Sequence, residues 1–172
     1  WGLKWRVFMG AGLSIMDIIS DAYMIRKYLT SEEEGQAIFG FINAGMVATS
    51  LLFQLITVHI QNKNKGLKKA VYEVLTVILC IKPAVDAYRV ANGVAIEEGS
   101  AVEPMIELTW TKMQEMFAES IPAAILQTYA FLNSKKKSRG ALASIVISAC
   151  TTGLASATIA YDFDTDPGKR QN

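Results

Sequence analysis

The sequence predicts an all-α polytopic transmembrane bundle of about five membrane helices with a kinked fourth. Three observations predict it. Apolar stretches, most of them about 20 residues or longer, alternate with short charged blocks, and roughly 20 helical residues cross a bilayer. No stretch shows the period-2 alternation that a membrane β-barrel needs. Two acidic pairs, Asp17 with Asp21 and Glu115 with Glu119, lie inside apolar stretches at i,i+4 spacing, which puts both carboxylates of a pair on one helix face. Charge at that depth faces a protein interior or a water-filled cavity and points to function.

Composition supports this weakly and distribution strongly. The 172 residues are 51% hydrophobic and 19% charged, against about 45–50% and about 25% in soluble domains. The charges cluster between the apolar runs. A net charge of +1 gives no case for a nucleic-acid partner.

The reading is of one transmembrane domain, residues 1–161, with a polar, frayed tail at 162–172. Segment one, residues 7–29, ends at an acidic block, Glu32 to Glu34. Segment two, 37–59, carries Gly40, Ala44 and Gly45, small enough for another helix to come close. A basic loop with Lys63, Lys65, Lys68 and Lys69 follows. Segment three, 70–90, is the weakest, holding Glu73, Lys82, Asp86 and Arg89. Pro83 should kink or break it near Leu79 to Lys82, so a re-entrant helix is an alternative to a crossing. The linker to Pro104 is acidic, with Glu97, Glu98 and Glu103. Segment four, 105–132, contains Pro122, read as a hinge or as a tolerated kink whose freed carbonyl near Ala118 is satisfied by Ser120 or water. Segment five, 141–161, is rich in Ala, Ser, Thr and Gly, the residues of tight intramembrane packing.

With five crossings, Lys4 and Arg6, the 63–69 block and the Lys135 to Arg139 block share one side. The positive-inside rule then places the N-terminus in the cytoplasm and the Asp-rich tail outside. Arg26 and Lys27 sit at the wrong end, and snorkel or pair with Glu32 to Glu34.

The intramembrane charges admit three readings: a structural polar core, in which Asp17, Asp21, Glu115 and Glu119 pair with Lys82, Arg89 or Lys112; a track for lipid headgroups; or a cation or proton site. Lys112 before Glu115 and Lys82 before Asp86 permit local pairing. Gln54 and Gln127 suit interhelical hydrogen bonds. Trp1, Trp5, Tyr28, Trp110 and Tyr161 suit an interfacial belt. Cys80 and Cys150, in apolar segments, read as buried inert thiols. The lone His59 makes a poor zinc site. No metal or cofactor is expected, and without a phosphate loop, HExxH or GxSxG no enzyme is expected.

Two motifs resemble the XK-related family, which includes caspase-activated lipid scramblases and the Kell-associated membrane protein. Asp17-Ile-Ile-Ser-Asp21, followed by Tyr23, Tyr28 and a second helix with Gln54, resembles the family's opening D-x-x-[ST]-D. The stretch from Glu115 to Tyr129 resembles E-x-x-x-E-[ST]-x-P-Q-L-x-L-Q-x-Y. Glu119, Ser120, Pro122, Gln127 and Tyr129 fall in register, and Ala123 stands where the pattern has Gln. Ser144 to Asp162 resembles the downstream Ser-rich helix. A typical member is longer, with further helices. The resemblance implies a multi-pass protein, of the plasma membrane or an organelle, whose partners are membrane lipids and whose charged helix positions line a headgroup path. Candidate residues are Asp17, Asp21, Lys82, Asp86, Lys112, Glu115, Glu119 and Gln127. The alternative is a non-catalytic subunit whose partners are other membrane subunits.

Overall fold

The computed structural model describes residues 2–96, 98–134 and 137–165, with side chains described as far as Tyr161. The described residues are helical with no strand. Helix α1 runs Leu3–Leu29, α2 Gln36–Asn62, α3 Leu67–Ile78, α4 Lys82–Ala91, α5 Pro104–Glu115, α6 Ile121–Asn133 and α7 Arg139–Thr165. A π-helical turn, Met116–Ser120, joins α5 to α6 into one rod. Three helices are long and apolar enough to cross a membrane: α1, α2 and α7 over Arg139–Tyr161. Helix α7 continues past residue 161 to Thr165, so the first four residues of the expected tail, 162–165, are helical.

Helix α1 is the hub, packed against α2, α4 and α7. The rod α5–α6 runs parallel to it, since Lys112 reaches Gly10 and Gln127 reaches Asp21. Helices α2 and α7 run antiparallel to it. Helix α7 meets α1 through Gly140 at Tyr23, Ser148 at Asp17 and Tyr161 at Arg6. A Cβ on Gly140 would come within 2.7 Å of the Tyr23 hydroxyl, so this approach needs glycine. Of the small residues in α2, Gly40 meets Leu29 closely and Gly45 has open space.

Segment three is a hairpin. Proline at position 83 has no amide to donate to Leu79 and its ring would strike that carbonyl. Helix α3 therefore ends in a Schellman-type cap: the Ile81 amide donates to Thr76 O and the Cys80 amide to Val77 O, both at 2.9 Å. Cys80 takes φ 57°, the left-handed conformation glycine usually supplies there. Helix α4 then returns beside α1 and α5. Helices of 12 and 10 residues reach only about 18 and 15 Å, short of the roughly 30 Å hydrocarbon core. A Cβ on Gly99 would lie 3.1 Å from Asn64 O, and Gln61 Nε2 donates to Val102 O at 2.9 Å. The loops on either side of the hairpin thus lie at the same end.

This corrects the five-crossing expectation. Segment three folds back on itself as the α3–α4 hairpin. The start of α1, the 63–66 loop, the described parts of the 92–103 loop and Tyr161 near the end of α7 share one end. The 30–35 loop lies at the other, beside Ser134, whose hydroxyl is 3.4 Å from Glu33 Oε2. Lys137 and Arg139 are at that second end too, so the Lys/Arg blocks no longer gather on one side and the positive-inside argument loses its basis. Trp1, Glu97, Lys135 and Lys136 lie outside the described residues.

Other expectations change with burial. Tyr28 is buried, so it does not belong to an exposed belt, whereas Trp5, Trp110 and Tyr161 are exposed. Cys150 is exposed and Cys80 half-buried, both free thiols. Apolar sequence cannot separate lipid-facing from protein-facing positions, which is why the cysteines read as buried.

Single cysteines replacing Asn64 and Glu98, in a Cys80→Gly, Cys150→Ala background, should react with an impermeant thiol reagent from the same side. Glu34→Cys should react from the other. Labelling of 64 and 98 from opposite sides would restore a crossing by segment three.

Candidate functional site

The bundle interior is polar in the middle and apolar at its ends. Val7, Ala11, Ala87, Val90 and Leu108 close one end. Met24, Tyr28, Ala130 and Ala141 close the other. Between them α1 turns Ser14, Asp17, Ser20 and Asp21 inward, all buried. These positions repeat at helical spacing while Met16, Ile19 and Tyr23 face outward.

Each inward group meets a partner from the opposing helices. Asp17 accepts hydrogen bonds from Ser120 and Ser148, both at 2.7 Å. Asp21 accepts one from Gln127 Nε2 at 2.7 Å. Ser14 donates to Glu115 Oε2 at 3.0 Å. Lys112 Nζ donates to the same oxygen at 3.1 Å, to Gly10 O at 3.2 Å and to the Ser14 hydroxyl. Ser144 donates to Ser20 at 3.2 Å. Asn43 and Ser50 of α2, fully buried, face Asp21 and Glu119.

The π-helical turn sets this alignment. Proline 122 cannot donate to Ala118 O, and the Ile121 amide reaches back to Met116 O instead. The extra residue in the turn aims consecutive Glu119 and Ser120 inward. The Ser120 hydroxyl is committed to Asp17, so it does not serve the freed carbonyl near Ala118 as expected.

A second cluster fixes the hairpin. Lys82 Nζ lies 3.0 Å from Glu73 Oε2, 2.7 Å from Asp86 Oδ1 and 2.6 Å from Glu107 Oε1. Arg89 pairs with Glu73 and, at 3.4 Å, with Asp86. Gln61 Nε2 donates to Glu107 Oε2 at 3.0 Å. Oxygens of Glu73, Asp86 and Glu107 lie within 4.8 Å of one another, close enough for a metal ion. The Lys82 ammonium sits among them and supplies the positive charge itself. Buried Lys82 is only 1% exposed, so its desolvation is tolerable only because three carboxylates surround it.

The structure therefore divides the candidate residues in two. Asp17, Asp21, Lys112, Glu115, Glu119 and Gln127 form a central column. Lys82 and Asp86 belong to the hairpin lock and do not reach the column, contrary to the pairing of Lys82 and Arg89 with the four column carboxylates. Sequence reasoning passed over Glu73 and Glu107 as partners, and over Ser14, Asn43, Ser50 and Ser148; it named Ser120 and Ser144 within the family motifs without pairing Ser120 with Asp17 or Ser144 with Ser20. The i,i+4 spacing of Ser144 and Ser148 was the one available signal; the pairing of Glu73 with α4 depends on the hairpin.

Among the described residues, four column carboxylates face one close cation, Lys112. Several buried column atoms have no close hydrogen-bond partner among the described residues: the acceptors Asp21 Oδ2, Glu115 Oε1, Glu119 Oε1 and Gln127 Oε1, and the donors Asn43 Nδ2, Ser50 Oγ and Thr111 Oγ1, of which Asn43 faces Asp21 and Ser50 faces Glu119. An apolar groove bounded by α1, α5 and α7 reaches Lys112 from the outer surface. It is lined by Leu3, Val7, Leu13, Met105, Leu108 and Leu154.

An apolar exterior around a polar interior, with three helices able to cross a bilayer, defines a membrane protein with a buried hydrophilic core. The chain matches the XK-related protein family over residues 6–163, most of its length, and belongs to that family. No curated protein and no solved structure matches it.

Lys82→Met should destabilise the protein by about 3–5 kcal/mol, because it leaves Glu73, Asp86 and Glu107 crowded without their central cation. Adding Glu107→Gln should recover part of the loss, which thermal unfolding in detergent would measure. No recovery would mean that repulsion among the three carboxylates is not what Lys82 relieves.

Proposed function

We propose that this protein binds phospholipid headgroups in its central polar column and moves them across the bilayer. The surplus of buried acceptors carries this reading. Asp21 and Glu119 have only Asn43 and Ser50 facing their second oxygens, and Glu115 Oε1 and Gln127 Oε1 have no hydrogen-bond partner among the described residues; unsatisfied acceptors in a low-dielectric interior are costly. A headgroup rich in ammonium and hydroxyl donors would satisfy them. A narrow apolar groove between α1, α5 and α7 leads from the outer surface toward Lys112. With apolar plugs at both ends, the conformation described is a closed one, and movement requires the helices around a plug to part. Membership of the XK-related family favours lipid handling, as does the order of the polar positions along the helices.

In this proposal α1, α2, the α5–α6 rod and α7 cross the membrane and α3–α4 is a re-entrant hairpin. The rod has 30 residues, 12 in α5, 5 in the π turn and 13 in α6, or about 45 Å of helix.

The second reading is a structural subunit of a larger membrane assembly. The direct bonds from Ser120 and Ser148 to Asp17 and from Gln127 to Asp21 favour it, since a purely structural core needs no more than such pairs.

Glu119→Gln and Asp21→Asn separate the two. Each keeps shape and hydrogen-bonding capacity and removes the ionisable group. With a headgroup column, both variants should assemble normally while transfer of fluorescent lipid in proteoliposomes falls about tenfold or more relative to the unmodified protein. Loss of assembly with no lipid transfer by any form would favour the structural subunit.

A further inference from the structure

The α3–α4 hairpin holds itself together more firmly than it is held to the helices around it. Its ion pairs are mostly internal. Lys82 meets Glu73 and Asp86, Arg89 meets the same two carboxylates, and Lys69 lies 3.9 Å from Glu73. Among pairs of described residues, the one that ties the hairpin to another helix is Lys82 with Glu107 of α5, at 2.6 Å. Glu107 is held in turn by Gln61 Nε2 of α2 at 3.0 Å.

The two ends of the hairpin are alike. Gly66 precedes α3 at φ 84° and Gly93 follows α4 at φ 62°, and both have open space where a side chain would stand. Beyond these glycines the chain is clamped, since Gln61 exchanges two hydrogen bonds with the Val102 backbone, at 2.9 and 3.0 Å. Helix α4 packs on both α1 and α5, which pack little on each other. The turn at Cys80 comes within electrostatic reach of Glu115 and Glu119, so it ends at the depth of the central column. The outer face of the hairpin carries Val71, Leu75, Ile78 and Tyr88, all exposed.

We propose that the hairpin is a hinged flap that closes one side of the central column, with Gly66 and Gly93 as its hinges and the Lys82–Glu107 pair as its latch. Glycine at positive φ absorbs a backbone rotation that other residues resist. The internal ion pairs keep the hairpin rigid, so it swings as one body. Opening breaks one pair between helices and leaves Lys82 with two carboxylates, so no buried cation is stranded. The outer face already meets hydrocarbon and loses nothing when it moves farther into it. What the flap admits rests on the lipid reading above; that it opens rests on the hairpin alone.

The test reads accessibility of the full chain in proteoliposomes to a small, positively charged methanethiosulfonate reagent. In a Cys150→Ala background the native Cys80 reports the turn. Ser50→Cys reports the column beside Glu119, and Ser144→Cys reports the side of the column covered by α7, each with Cys80→Gly and Cys150→Ala. Glu107→Gln removes the charge from the latch and leaves the hairpin's own pairs intact. It should speed labelling of Cys80 and of Ser50→Cys about tenfold or more, because labelling follows the population of the open form. Ser144→Cys should label at its unchanged, slow rate. The proposal is overturned if Glu107→Gln leaves Cys80 at the parent's rate. It is overturned equally if Cys80 labels faster while Ser50→Cys stays shielded, since the hairpin would then cover nothing in the column. Equal acceleration at Ser144→Cys would mean general loosening and would also overturn it. Lipid transfer is measured on the same samples. Faster labelling of Cys80 and Ser50→Cys in a protein that moves no lipid in any form would refute the headgroup-transport reading and leave the flap standing.

Discussion

An ionised carboxylate facing hydrocarbon costs several kcal/mol, so a bundle that keeps acidic residues in its middle must wrap protein around them. Asp17 and Asp21 are therefore the pivot of the packing. Their helix takes the central position, and three other helices each bring a small polar side chain to them: Ser120 and Gln127 from the rod, Ser148 from α7, Asn43 from α2. Small hydroxyls suit this task because they bring a donor without holding the backbones apart. The Ser and Thr content of α7 follows from the same demand.

Two proline-induced departures from α-helix set the geometry. Pro83 turns a weak apolar segment into a hairpin, and Pro122 accompanies a π-helical turn that aims Glu119 and Ser120 together into the core. The missing amide is the same; the outcomes differ with the surroundings. Around Pro83 the chain carries Glu73, Lys82, Asp86 and Arg89, which meet only if the segment folds back. Around Pro122 no group of charges needs the chain to fold back, and the rod continues with one extra residue in its turn. The lock at Lys82 has its charges matched: Glu73, Asp86 and Glu107 face Lys82, Arg89 and, at 3.9 Å from Glu73, Lys69. The column has four to one. That contrast separates a cluster built to hold the fold from one with acceptors to spare.

Much of the column was legible in the sequence. Asp17, Asp21, Glu115 and Glu119 stand out because carboxylates are rare within apolar runs, and i,i+4 spacing puts each pair on one face. Lys112 with Glu115 and Lys82 with Asp86 could be paired from local spacing alone. The serines could not be assigned, because serine on a membrane helix packs equally well as a small residue against lipid, another helix or a polar partner. Glu73 and Glu107 were hidden for another reason. Their common partner joins residues 9 and 25 positions away in sequence, and that contact exists only once the hairpin has formed.

By itself the sequence determined that the chain is helical, that it belongs in a membrane and that it carries charge in its interior. Helical periodicity, the length of the apolar runs and the rarity of buried carboxylates are properties of single segments. The tertiary structure alone decided which loops share an end. Sidedness had been inferred by counting crossings, and that count depends on whether segment three passes through or turns back. The turn is set by Cys80 in a left-handed conformation and by Lys82 gathering Glu73, Asp86 and Glu107. These contacts reach across helices, and no window of local sequence contains them.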